Sequence, residues 1–146
     1  MEVEVKEVEL FKGGAKKPEY LAINPKGRIP LLVEGDFILS ESASIMRYLC
    51  DSREGPNHLF PRDDLKKRAE IDALLDFSGT SFRPAFCYDL IWKVMVPEMQ
   101  KKDLPSEETR KQIFDKVHSN LDIIEQTLEQ AKDGYLTGAE FTIADV

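Results

Sequence analysis

The chain has 146 residues, 42% of them hydrophobic and 32% charged, which is enough apolar material for the core of one large domain or two small ones. A net charge of −7 works against nucleic-acid binding, which draws its affinity from clustered Lys and Arg, and equally against docking on anionic membrane surfaces. No apolar run approaches the length that spans a bilayer, and the opening "MEVEVKEVEL" is no signal peptide.

In chain order, "EVEVKEVEL" (2–10) alternates Val3, Val5 and then Val8, Leu10 with charges, which predicts a strand with one wet face. Gly13-Gly14 marks a loop, followed by a short helical turn around Glu19 to Ile23. "IPLLV" (29–33) and "FIL" (37–39) are expected strands, with "EGD" (34–36) as the hairpin turn between them. From Ser42 the apolar Ile45, Met46 and Leu49 recur at three- and four-residue spacing, which predicts a helix to about Cys50. "DSREGPNHLFPRDD" (51–64) carries Gly, two prolines and little periodicity, as an interdomain linker would.

Beyond the linker the pattern turns helical. Leu65, Ala69, Leu75 and Phe82 mark one long helix, bent near Gly79; Phe86, Leu90 and Val94, past Pro84, are its continuation or a second helix. Ser106 and the acids after it favour a helix start, from which Ile113, Val117, Leu121, Ile124 and Leu128 trace an amphipathic helix ended by Gly134. Thr142 to Asp145 has the hydroxyl-x-x-acid form of a helix-capping box. Cys50 and Cys87 form no CxxC and suggest reduced thiols in a cytosolic protein; His58 and His118 lack ligand-spaced partners, which argues against zinc.

Two features within "NPKGRIPLLVEGDFILSESASIMRYL" (24–49) point to a small-molecule site. Pro30 cannot donate to a strand ladder and belongs at an edge or a first strand position. With a cis bond before it, Ile29 could turn its main chain outward to pair with a short peptide by strand addition; the plain alternative is a trans proline opening a strand. Glu41-Ser42 stands where a helix start leaves unpaired N–H groups that favour an anion, while Glu41 can face an ammonium. An α-amino acid head group would suit both. The alternative is that Ser40 or Ser42 is an ordinary cap and Glu41 only complements the helix dipole.

These residues resemble a known family. "KGG" (12–14), "INPKGRIPLL" (23–32), "GDFILSESASI" (35–45) and "RYL" (47–49) are similar to the thioredoxin-like domain of cytosolic glutathione transferases, most of all the theta class. "LFPRDDLKKRAEIDALLDF" (59–77) and "LTGAEFTIADV" (136–146) resemble parts of the family's helical second domain. The resemblance implies an α+β fold: an incomplete thioredoxin-like domain over 1–51, a linker over 52–63 and an all-helical, incomplete domain over 64–146.

It also implies roles. Ile29, before a cis Pro30, would bond the cysteinyl main chain of glutathione; Glu41 and Ser42 would hold the γ-glutamyl ammonium and carboxylate. Arg28 would neutralise a glutathione carboxylate and Lys16 would reach the glycyl end. Arg83 and Trp92 would line a second-substrate pocket, or else be a helix-surface cation and a core or interface aromatic. Glutathione is the implied co-substrate with no further cofactor, the partner an electrophile, the assembly a homodimer and the location the cytoplasm. Ala15 stands where the theta pattern has a His. The family's first strand and helix, with the serine that stabilises the thiolate, are expected to be missing, as are helices after Val146, so this chain alone is expected to be inactive as a transferase. The other reading the resemblance leaves open is a non-catalytic interaction module, as in elongation factor 1 gamma.

Overall fold

The computed structural model describes residues 3–131 and 133–146. The chain divides into two units, Met1–Arg53 and Glu54–Val146.

In the first unit, residues 3–9 form neither strand nor helix, contrary to the strand expected over 2–10, of which Glu2 lies outside the described residues. The reason is pairing. A strand needs a neighbour for its N–H and C=O groups, and among the described residues the only sheet in this unit is a two-stranded hairpin whose strands pair with each other. Alternation predicts a face, not a partner; Val5 is accordingly exposed. Two 3-10 turns follow, Leu10–Lys12 and Gly14–Lys16, hinged at Gly13 with φ 75°, where a plain loop was expected. Helix α1 (Pro18–Ile23) takes its proline at the first position, where the missing N–H costs nothing.

The hairpin forms as its sequence predicts. Strands β1 (Leu31–Glu34) and β2 (Phe37–Ser40) pair antiparallel with Leu31 opposite Ser40 and Glu34 opposite Phe37. The turn between them is two residues long, with Gly35 at φ 58°, a conformation that favours glycine. Helix α2 (Ser42–Ser52) folds back on the hairpin. The rings of Phe37 and Tyr48 lie 5.0 Å apart, Tyr48 Oη donates to Glu34 Oε2 at 2.6 Å, and Arg53 pairs with the other oxygen of Glu34.

The second unit is helical. Helix α3 (Leu65–Phe77) is capped by Asp64, whose carboxylate accepts from Lys66 N at 3.1 Å and Lys67 N at 3.0 Å. Its Ile71 and Leu75 are buried, as is Phe60 before it, which carries the Arg68 guanidinium 3.7 Å over its ring. The helical path continues beyond Phe77, and Phe86, Leu90 and Val94 lie on that continuation. Its turns widen to the π type over Ser78–Phe82 and Pro84–Met95 before helix α4 (Val96–Met99). Arg83 N–H reaches Ser78 O and Val96 N–H reaches Ile91 O, five residues back. Pro84 offers no N–H and its ring clashes with the carbonyl four residues before it, so a shift to five-residue spacing accommodates it.

Ala85, Leu90 and Val94 pack on Ile113 and Val117 of helix α5 (Glu107–Ala131), with Phe86 alongside. Ser106 Oγ accepts from Thr109 N–H at 3.2 Å at the start of α5. One expected core position of α5 is displaced: Leu121 is exposed and Asn120 is buried instead, its Nδ2 donating to Lys116 O at 2.7 Å. That local bond satisfies the amide, so a polar side chain can occupy the seam. Asp89 receives Lys93 Nζ at 2.7 Å and Lys116 Nζ at 3.0 Å, tying α5 to the widened helix; those two bonds, Lys93 first, hold its carboxyl below the usual carboxylate range.

The capping box near the end is formed. Thr142 Oγ1 accepts from Ala144 N–H at 3.2 Å, Asp145 Oδ2 accepts from Thr142 N–H at 2.9 Å, and Asp145 Oδ1 accepts from Leu136 N–H at 2.8 Å. It caps the 3-10 turn Ile143–Asp145. Thr142→Ala is expected to cost about 0.5–2 kcal/mol of stability in urea unfolding followed by circular dichroism, while Thr142→Ser, which keeps the hydroxyl, stays within half of that loss.

Candidate functional site

The site residues expected in the first unit gather at one end of the hairpin. Leu31 pairs with Ser40, so the next residues outward, Pro30 and Glu41, leave the ladder side by side. The Ile29-Pro30 bond is cis, and Ile29 is 45% exposed. Glu41 opens α2 with φ 76° and ψ 117°, a backbone that costs a non-glycine residue about 1–3 kcal/mol and concentrates at functional sites. Its C=O accepts the first helical bond, from Ile45 N–H at 3.0 Å, and Ser42 supplies the first helical residue.

What holds Ile29 in place comes from residues that sequence reasoning passed over. Asn24, Pro25, Lys26 and Gly27 make a turn closed by Gly27 N–H on Asn24 O at 2.9 Å. The Arg28 carbonyl then receives Asn24 Nδ2 and Tyr20 Oη, each at 2.7 Å, and Asn24 is only 3% exposed. A buried amide therefore fixes the peptide directly before Ile29. The signal was present: Asn, Pro and Gly at the first, second and fourth places of a turn are its preferred residues.

Lys16 belongs to the same neighbourhood. A Cβ on Gly27 would lie 2.7 Å from Lys16 Nζ and 2.9 Å from the Ala15 carbonyl, and Gly27 has φ 58°. The glycine thus lets Ala15 and Lys16 approach the Asn24–Gly27 turn closely. Ala15, at the position of the theta-type His, is 1% exposed and has no room for a larger side chain without rearrangement.

The electrostatics centre on Glu41. Lys26 Nζ lies 2.9 Å from Glu41 Oε1 and 3.2 Å from Ser40 Oγ. The hydrogen bond from Lys26, its charge, and the charge of Arg28 hold the Glu41 carboxyl below its ordinary value. At the hairpin's other end, the bond from Tyr48, then that from Arg53, lowers Glu34 in the same way.

Arg83 and Trp92 lie in the second unit, both exposed, with Arg83 Nε donating to Ser78 Oγ at 3.3 Å. The second unit also holds an open concavity of about 1010 Å³ at the start of α3, lined by Asn57, His58, Lys66, Lys67, Glu140 and Thr142 among others. None of the expected site residues lines it, and Asp64 already takes the helix-start N–H groups there. Among the described residues no group of three His, Cys, Asp or Glu side chains could hold a metal ion, and no helix is long and apolar enough to cross a membrane.

This geometry has counterparts among known proteins. The family described as "Glutathione S-transferase, N-terminal domain" matches residues 1–52. Glutathione S-transferase F10 of Arabidopsis thaliana is 35% identical over 95% of this chain and 63% of its own length. Glutathione S-transferase theta-1 of Mus musculus is 34% identical over 95% of this chain and 57% of its own. The crystal structure of human glutathione transferase theta-2, in complex with glutathione and an unknown ligand, superposes with a TM-score of 0.76 at 33% identity, covering 97% of this chain and 56% of that one. The chain therefore spans about 60% of the length of the relatives it matches. Residues 1–52 thus match the N-terminal domain of the glutathione transferases, and the chain is similar to members of that family over nearly all its length. Its fold pairs a thioredoxin-like N-terminal hairpin unit with a helical C-terminal unit. Theta-class members are among the proteins the chain is similar to.

The bracing of the hairpin is open to measurement at both ends. Asn24→Ala is expected to cost about 0.5–1.5 kcal/mol in urea unfolding, since Tyr20 still serves the Arg28 carbonyl. Because Glu34 titrates lower when folded than its ordinary 4.5, its contribution to stability is full above that value and fades as pH falls through the depressed folded value. Glu34→Gln lacks it at every pH, so the difference in urea midpoint between wild type and variant is expected to shrink between about pH 6 and about pH 3.

Proposed function

We propose that the protein is a theta-like glutathione transferase, joining the sulfur of glutathione to electrophilic carbon. The observation that carries this reading is the side-by-side departure of cis Ile29-Pro30 and Glu41-Ser42 from one end of the β1–β2 hairpin. Glutathione is a short peptide with an α-amino acid head at one end, a thiol in the middle and a carboxylate at the other.

The fit is chemical. The outward main chain of Ile29 pairs with the cysteinyl residue by strand addition. The Glu41 carboxylate receives the γ-glutamyl ammonium, and the N–H groups and hydroxyl at Ser42 receive its carboxylate at the positive end of α2. Arg28 and Lys16 supply cations toward a glutathione carboxylate and the glycyl end. In the reaction the thiol loses its proton, the sulfur forms a bond to carbon, and the electrophile's leaving group departs with the bonding pair. A cysteinyl thiol has an ordinary pKa of about 8.5, so the chemistry needs a donor at the sulfur. Lys16, Arg28, Ile29, Pro30, Glu41 and Ser42 are assigned to binding, none to that task.

Residues 1–51 form the glutathione-binding domain, 52–63 the linker and 64–146 the helical domain. Arg83 and Trp92 line the pocket for the electrophile, with the exposed indole giving it an aromatic wall. The enzyme is a cytoplasmic homodimer and uses glutathione as co-substrate without a metal or organic cofactor. Support comes from the transferase names of the relatives and from the glutathione bound in the human theta-2 complex.

Isothermal titration calorimetry of this chain with glutathione tests the site directly. Saturable binding is expected, weakened about ten- to hundredfold in Glu41→Gln, the usual worth of a charge-assisted hydrogen bond. Binding indifferent to Glu41, or none in the folded protein, would overturn the assignment.

A further inference from the structure

Lys26, the partner of Glu41, is placed where it bears on the ligand. It sits at the apex of the Asn24–Gly27 turn, a segment fixed by the turn bond and by the Asn24 bond to Arg28 O. Its ammonium lies 2.9 Å from Glu41 Oε1 and 3.2 Å from Ser40 Oγ, so it occupies the carboxylate that the proposed site gives to the γ-glutamyl ammonium. Both groups are primary ammoniums making a charge-assisted bond to a carboxylate oxygen.

We propose that Lys26 is a built-in competitor for the ligand's ammonium, an intramolecular stand-in that glutathione must displace from Glu41; this inference rests on the assignment of Glu41 to that ammonium. A cation on a short tether is present at its partner at high effective concentration, so it lowers the apparent affinity of any free amine for the same oxygen. The size of the effect is bounded by geometry. Lys26 and Glu41 side chains are 58% and 56% exposed, and such an exposed pair is held weakly enough for a ligand to replace it. Lys26 thus sets a selectivity. A ligand with a free α-amine exchanges one ammonium for another on Glu41, whereas one whose amine is blocked leaves the Lys26 pair in place and gains nothing there. It also keeps the Glu41 carboxylate charged and neutralised between turnovers, so that the site does not present a bare anion to the carboxylates of an incoming ligand.

The test is calorimetric titration of wild type, Lys26→Met and Lys26→Arg with glutathione and with N-acetylated glutathione. Lys26→Met is expected to bind glutathione about two- to fivefold more tightly than wild type, the range set by an exposed ion pair. Its affinity for the N-acetylated peptide is expected to be unchanged, and Lys26→Arg, which keeps the charge, shows no gain. The gain for glutathione shrinks as salt screens the pair. Glutathione binding that depends on Glu41 but is unchanged or weakened in Lys26→Met overturns this inference alone. Equal tightening for both peptides also overturns it, since the amine would then play no part. Glutathione binding that does not depend on Glu41 overturns the site assignment, and this inference with it.

Discussion

The antiparallel register of β1 and β2, with Leu31 opposite Ser40, is the constraint on which the candidate site depends. A hairpin of this kind fixes which residues leave the ladder together, and a slip of one residue would turn every side chain to the other face. With the two-residue turn at Gly35 holding the register, Pro30 and Glu41 emerge together. One brings a main-chain edge and the other a carboxylate and a helix start. Neither alone makes a site: a proline at a strand's beginning and an acid before a helix are common punctuation. Their shared exit brings two ordinary features together in one candidate site, and the strained backbone of Glu41 is of the kind that concentrates at functional positions.

The hairpin is in turn braced at both ends. At the exit end, Asn24 and Tyr20 hold the Arg28 carbonyl, while Gly27 admits the Ala15-Lys16 turn. At the turn end, Glu34 is shared by Tyr48 and Arg53 from the far half of α2 and beyond it, so the helix that begins at the site is anchored away from it. The anchors at the turn end are exposed and individually weak. Their value is geometric, because they restrain the helix start without placing any side chain across the rim where a ligand would lie.

How far this was legible depends on the range of each interaction. The hairpin, α2, the start of α5 and the Thr142 box are written in neighbouring residues: a turn dipeptide flanked by apolar runs, or a hydroxyl three places before an acid. The first segment misled because alternation reports only that one face could be buried, whereas strand formation needs a partner that no local pattern supplies. The widened helix was hidden for another reason. Leu65 to Phe82 keeps apolar spacing compatible with ordinary turns, and the change to five-residue bonding follows from what Pro84 cannot donate. In α5 the periodicity chose Leu121, but the buried line passes through Asn120 because its amide can return to the Lys116 carbonyl. Lys26 escaped because a lysine at a turn apex is nearly always a solvated charge; only the folded hairpin shows that it reaches Glu41.

The charge of the chain and the chemistry of its proposed ligand stand in apparent conflict. A protein of net charge −7 should repel a peptide that carries two carboxylates and one ammonium. Fields near a surface are set by local charges, however, because screening at physiological salt reduces distant ones within about 8 Å. Charges placed at the exit of the hairpin among the described residues include Lys16, Lys26 and Arg28, with the carboxylate of Glu41 beside them. Three cations and one anion complement two carboxylates and one ammonium, with one cation in excess. Lys26 is already set against Glu41 before a ligand arrives, so within that pair the two charges cancel and the net local charge is that of Lys16 and Arg28. The local surplus of positive charge is therefore greatest while the site is empty, three cations against one carboxylate. It falls by one when a peptide with two carboxylates and one ammonium docks, so the attraction acts on the approaching anion despite the chain's overall negative charge.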